Sequence, residues 1–413
     1  MSGLIDTPTR GPNRYGWVVL AVVWLCGFVA PLNMVKVTAL SPVLMASFGI
    51  DEAFMGTIMS LFYVLGIVMA FPAAGIVNRF GVHKVGIASL LLALVGGLVG
   101  VLSADVPAFM VSRVLEGAGM GIMGVVGVVA ISPWFAPSKR GLPLGIWAIW
   151  VTVSFIVGPT LFTGIFDITG SWHSVWWATL VFDAIVLVLF ALLYRAPTFV
   201  FDDDEQPVAI DDSVREELPV PHITAALKLP VVWLLGIMMF AYAAASMSIE
   251  GFFSTYVFDT FDVALTVAGI IVTSGAVIGS VFAVLSGKVS DRVHSRRLVL
   301  LVGWIAGMIY SWFVFSVDSL PLFIPVIILL ALGENATPSM IYASVAEMMS
   351  PDKVAGASAV LALMQNVGMF LGTTVLGALV AGMGEWALAA RCTAVPLYAF
   401  GLVLTVIAWK KLV

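Results

Sequence analysis

Charge is what this chain has least of. Only 10% of its 413 residues are Asp, Glu, Lys or Arg, while 61% are hydrophobic and the mean hydropathy is +1.10. A soluble domain keeps about 25% charged residues to face water, so this composition excludes a water-soluble globule and requires an outer surface that meets lipid. Cysteine is almost missing. Cys26 and Cys392 lie far apart in apolar stretches, which excludes a disulfide framework and a thiolate metal site. The four histidines, His83, His173, His222 and His294, stand at or near loops without metal-ligand spacing, so no metal and no bound cofactor are expected. Basic residues do not outnumber acidic ones, and a formal net charge of −5 speaks against nucleic acid as a partner.

What the chain has in abundance is long apolar runs. A membrane helix needs about 20 mostly apolar residues, and such runs cover roughly 15–40, 53–76, 85–104, 107–132, 142–166, 172–194, 230–257, 264–286, 298–316, 320–346, 355–381 and 386–409. Their length and continuity predict helices, because barrel strands alternate over about ten residues. The first run is longer than the apolar core of a signal peptide and is expected to stay as a span. The fold expected is therefore all-α and integral to the membrane, with twelve transmembrane helices.

Lysine and arginine set the orientation. With the N-terminus inside, most of the 19 basic residues fall in inner loops, Arg79, Lys84, Lys139, Arg140, Lys288, Arg292, Arg296 and Arg297 among them. The opposite loops carry Asp51, Glu52, Asp105, Asp167, Asp259, Asp262, Asp318 and Glu385. Both termini are thus expected in the cytoplasm. The one long polar stretch, "APTFVFDDDEQPVAIDDSVREELPVPH", is acidic and punctuated by proline, and it reads as a tether. The expected organisation is a cytoplasmic tail 1–14, a six-helix bundle 15–195, an acidic linker 196–229, a second six-helix bundle 230–409 and a tail 410–413.

The halves echo each other. "GIVNRFGVHKVG" (Gly75–Gly86) returns as "GKVSDRVHSRRL" (Gly287–Leu298), which puts Arg79 and Arg292 at an offset of 213. "APSKRG" returns as "SPDKVAG", with Lys139 and Lys353 at 214. Gly158 and Pro159 in span five correspond to Gly368 and Gly372 in span eleven as packing or hinge positions. Two parallel repeats with a site between them are a transporter signature.

These residues resemble the major facilitator superfamily over nearly the whole chain. Its hallmark loop, G-x-x-x-D-R-x-G-x-[RK]-[RK], is matched by Arg79, Gly81 and Lys84, with Asn78 in place of the aspartate. The second copy keeps Gly287, Asp291, Arg292, Arg296 and Arg297. The resemblance implies two loops that latch the cytoplasmic ends of the halves together when the protein opens outward. "RVLEGAG" in span four is similar to the family's R-x-x-Q-G-x-G, with Arg113, Gly117 and Gly119 matching and Glu116 in the glutamine position. Gly158-Pro159 matches part of a motif that the family links to exporters.

Other patterns dissolve on inspection. "GMGIMG" satisfies G-x-G-x-x-G but lies inside an apolar helix with no strand before it, where close helix packing explains it. No phosphate-binding loop or ATP-hydrolysing apparatus is visible, so uphill transport would draw on an ion gradient and no enzymatic activity is expected.

An ionisable group at the bilayer centre costs at least about 2.5–3.5 kcal/mol, which makes the intramembrane charges the candidate site. They are Lys36, Arg113, Glu116, Asp183, Glu250 and Glu334. The resemblance implies that spans one, four, seven and ten line the cavity, and all but Asp183 lie on them. Lys36 and Glu250 stand 214 apart, in matching places of the repeat. Lys36 and Arg113 are the expected substrate-binding bases, because "NMVKVTALSPVL" resembles the first span of anion:cation symporters. Glu250, Glu334 and Glu116 are the expected proton-coupling carboxylates. Arg113 and Glu116, three apart on one helix face, could equally neutralise each other, and no role for Asp183 or the linker follows from sequence. The expected function is proton-coupled transport of a small organic anion across a bacterial inner membrane by a monomer. The alternative is a proton-coupled exporter of an amphipathic or cationic compound.

Overall fold

Prolines and acidic caps cut the apolar runs into helices. The computed structural model of the chain describes residues 12–201, 205–209, 226–293, 295–323, 325–326 and 336–408. In the first half, α1 (Pro12–Ala39) is followed by α2 (Ser41–Phe48), α3 (Glu52–Met69), α4 (Pro72–Phe80), α5 (Val82–Leu102), α6 (Val106–Ile131), α7 (Gly141–Ala148), α8 (Trp150–Thr169) and α9 (Trp172–Leu193). In the second, α10 (Pro230–Glu250) leads to α11 (Phe253–Phe261), α12 (Leu265–Val293), α13 (Arg296–Phe313), α14 (Ala336–Met348), α15 (Pro351–Met383) and α16 (Trp386–Ile407). Among the described residues eleven helices are long and apolar enough to cross a membrane. The tenth expected span, 320–346, falls partly outside the described residues, and α14 is its described end.

Asp51 and Asp105, two of the acidic loop residues, are N-caps. Their carboxylates accept from the amides of Phe54 and Ala108, each at 2.9 Å, and so satisfy donors that a helix start leaves open. The first span breaks at Leu40 because Pro42 tolerates only the first turn of a helix. Proline also opens α4, α10 and α15. Gly81, between α4 and α5, holds φ +82° with ψ 152°, a region essentially restricted to glycine.

Helices α1–α9 pack mainly on one another, as do α10–α16, and the halves meet where α3 lies along α15 and α8 along α12. Between α8 and α12, Thr160 and Thr273 share a hydrogen bond of 2.8 Å. Asp167, at the acidic end, accepts from the backbone and hydroxyl of Thr266. Ser41 and Thr255, at an offset of 214, meet hydroxyl to hydroxyl at 2.5 Å, both fully buried. A residue that touches its own counterpart in the other repeat lies on the axis relating the two halves.

The expected tether is not wholly a tether. Phe199–Phe201 (β1) pairs antiparallel with Pro207–Ala209 (β2). Glu205 accepts from Ser138 N at 2.8 Å and Ser138 Oγ at 2.5 Å, which pins this hairpin to the turn between α6 and α7. Those bonds hold its exposed carboxyl below the usual glutamate range.

Candidate functional site

Two features lie inside the bundle, side by side: a cavity and a charged cluster. The first is a central cavity of about 240 Å³ between the halves. Val35, Thr38 and Ala39 of α1, Phe155 and Pro159 of α8, Tyr242, Ser246 and Glu250 of α10, and Gln365 and Met369 of α15 contribute to its wall. Glu250 is the one charged side chain among the described residues lining it. It is the last residue of α10, where span seven breaks at Gly251 and Phe252 before α11 resumes. Breaks within membrane helices are where transporters build binding sites, since only backbone that faces a cavity tolerates irregularity in lipid.

The second feature is a charged cluster packed wholly within the first half. Lys36 Nζ lies 2.8 Å from Glu116 Oε1 and donates to Asn33 Oδ1 at 2.6 Å, with Thr179 Oγ1 at 3.4 Å. Its ammonium stands 4.7 Å from the ring centre of Trp176. Arg113 pairs with the other Glu116 oxygen and donates to the carbonyl of Asn33 at 2.9 Å. Asn33 in turn donates to Asp183 Oδ2 at 3.0 Å. Lys36, Asn33, Arg113, Glu116 and Asp183 are each no more than 2% exposed. Spacing of three along α1 (Asn33, Lys36) and along α6 (Arg113, Glu116) puts each pair on one helix face. Glycines of α5 make the room. A Cβ at Gly96 would stand 2.8 Å from Glu116 Cγ, and one at Gly100 2.7 Å from Trp176 Nε1.

Lys36, Arg113 and Glu116 are thus brought together, and Glu250 stands apart from them in the cavity wall. Lys36 and Glu250 share a register in the repeat, yet one faces the interior of its own half and the other the space between halves. Arg113 borders a small separate void with Met34, Phe62 and Tyr63. Glu334 lies outside the described residues. Of the expected latch residues, Asn78, Arg79, Gly81, Lys84 and Arg292 are exposed at the basic end. Arg296 pairs with Glu347 of its own half at 2.5 Å. The side chain of Asp291 is outside what is described. Gly158 approaches α1, where a Cβ would stand 2.7 Å from Val35 Cγ1, and Gly368 and Gly372 let α15 press on the backbone of α10. Tyr242 reaches the cavity, while Trp147 and Trp150 stack on each other with centroids 5.2 Å apart. Asn33 and Thr179 were missed in the sequence. The available signal was an amide three residues before Lys36, and a hydroxyl four before Asp183, in otherwise apolar helices. No group of three or more His, Cys, Asp or Glu that could hold a metal occurs among the described residues.

Long apolar helices in two related sets, with a cavity between them at broken spans, define a multi-pass membrane transporter. The pattern of the Major Facilitator Superfamily matches residues 23–292 and 235–411, and the chain belongs to that family. It is 27% identical over 172 residues to the uncharacterized MFS-type transporter YfiU of Bacillus subtilis, covering 41% of this chain and 33% of that one. It is 28% identical over 137 residues to the multidrug efflux pump SdrM of Staphylococcus aureus, covering 33% and 30%. In these alignments the chain spans about a third of the length of these curated relatives. Among solved structures, a bacterial homolog to the human lysosomal transporter Spinster, inward-facing and unoccupied, superposes with a TM-score of 0.78 at 16% identity over 96% of both chains. The human organic anion transporter MFSD10 superposes with a TM-score of 0.68 at 16% identity, over 95% of this chain and 99% of that one.

Proposed function

We propose that the chain is a proton-coupled secondary transporter of a bacterial inner membrane that exports an amphipathic, cationic compound. One observation carries this reading. Glu250 is the one charged side chain among the described residues of the cavity wall, and the bases Lys36 and Arg113 are paired with Glu116 outside that wall. A largely apolar cavity with one carboxylate among its described lining residues attracts a cation with a hydrophobic body. The same carboxylate holds either a proton or the substrate, and that exclusion couples the two fluxes as the halves rock. Similarity to a multidrug efflux pump supports the export direction. With the basic loops inside, the Ser41–Thr255 contact closes the outer end, and the cavity serves the cytoplasm.

Organic-anion symport is the second reading, and a specific observation favours it. The void beside Arg113 shares Thr38 and Met247 with the main cavity, so a small shift of α1 or α10 would open it to an anion. The deciding experiment follows internal pH with a trapped dye in proteoliposomes. Addition of tetraphenylphosphonium outside is expected to raise internal pH as protons leave in exchange, and Glu250→Gln to abolish the signal. Internal acidification on adding a small carboxylate, lost in Lys36→Gln, would overturn the export reading in favour of anion symport.

A further inference from the structure

Asp183 has no part in the mechanism above, yet it is a carboxylate 2% exposed on a helix that does not line the cavity. The cluster around it holds two cations, Lys36 and Arg113, and two carboxylates, Glu116 and Asp183, so it is neutral as a whole. Glu116 faces both cations directly. Asp183 reaches them through one side chain: Asn33 receives Lys36 on its oxygen and donates its nitrogen to Asp183. Thr179, one turn before Asp183 on α9, and the ring of Trp176 complete the cage around the ammonium.

If the carboxylate charge of Asp183 were removed, the cluster would carry a net positive charge in a dry interior. An uncompensated buried charge moves to the nearest polar space when its side chain allows it. Arg113 is tied on both sides, to Glu116 and to the carbonyl of Asn33, whereas Lys36 has a long flexible stem. Lys36 also stands beside the cavity. Val35, Thr38 and Ala39 line it, and three residues along a helix turn about 300°, so Lys36 lies about 60° from the direction of Ala39.

We infer that Asp183 is a charge-selectivity determinant of the cavity: through Asn33 it keeps Lys36 on Glu116, and so keeps a positive charge out of the space that an amphipathic cation enters. Asp183 touches no substrate and is a positioning residue. The inference rests on the cationic reading of the cavity given above.

The test is equilibrium binding of tetraphenylphosphonium and of triphenylacetate, bulky aromatic probes of opposite charge, to the purified protein. Wild type is expected to prefer the cation. Asp183→Asn, which keeps the shape and removes the charge, is expected to weaken the cation about tenfold and strengthen the anion by a similar factor, the effect of one charge at about 10 Å and an effective dielectric near 20. Asp183→Asn/Lys36→Met, neutral again, is expected to restore the preference of wild type, which a merely structural defect would not do. Where Asp183→Asn does not fold, Asn33→Ala carries the test, since it cuts the bridge with both charges in place, and it should shift preference the same way. Unchanged preference in the folded single variant, or no restoration in the double, overturns the inference alone. A wild type without preference for tetraphenylphosphonium overturns the cationic reading and this inference with it.

Discussion

Glu116 pairs with one cation on each oxygen, Lys36 through a hydrogen bond to one and Arg113 as an ion pair with the other, and all three side chains are sealed from solvent. Burial of an ion pair contributes little net stability, because desolvation offsets the attraction, but removal of one partner leaves the other charge stranded. Glu116→Ala strands two. Its cost is expected to be about 3–5 kcal/mol or more, whereas Lys36→Met leaves Glu116 paired with Arg113 and should cost less. Thermal unfolding of the purified variants in one detergent checks the order, and a Glu116→Ala protein as stable as Lys36→Met would contradict the cluster geometry. The sequence made the members of this cluster conspicuous as charges in apolar helices. It also raised the pairing of Arg113 with Glu116 through their spacing of three. Their partners across helices, Asn33, Thr179 and Asp183, were not legible, because contacts between spans depend on packing that no local spacing encodes.

At the scale of elements, close approach between helices is set by residues without side chains. Gly117 of α6 lies directly against the backbone carbonyl of Phe62 in α3, and a Cβ there would run into it. Backbone cannot swing aside as a side chain can, so Gly117→Ala must push α6 from α3, the helix that also joins the other half through α15. A loss of about 1–3 kcal/mol is expected, typical of overpacking. Gly164→Ala, where nothing lies within 4 Å of the added atom, is expected to be neutral or slightly stabilising. Thermal melts of the two variants beside wild type decide it, and equal behaviour would mean that α3 and α6 have slack between them. The "RVLEGAG" match named Gly117 from sequence alone, but the glycines of α5 that make room for Glu116 and Trp176 belong to no motif. They became interpretable only with the neighbouring helices in view.

For the whole molecule, the pseudo-two-fold relation is more than a sequence echo, since Ser41 and Thr255 meet across it at 2.5 Å. Alternating access requires such an axis contact at one end to part when that end opens. Ser41→Cys/Thr255→Cys, made in a Cys392→Ser background because Cys392 is exposed, is expected to lose substrate flux on oxidation and regain it on reduction. Flux that survives complete cross-linking would show that the acidic end does not open at this contact.

Sequence by itself determined eleven spans among the described residues, the echo in residue order, the asymmetry of charge between loops and the family. Each follows from composition or from order along the chain: apolar length answers to the thickness of a bilayer, and basic loops answer to its inner face. Only the tertiary structure decided which way each described intramembrane charge looks. Lys36 and Glu250 occupy matching positions in the repeat, yet Lys36 is locked into its own half and Glu250 opens on the cavity. A helix that is apolar nearly all round carries little information about its own rotation. The facing of one polar residue is settled instead by which neighbours leave room and which offer a counter-charge, and those neighbours come from helices distant in sequence.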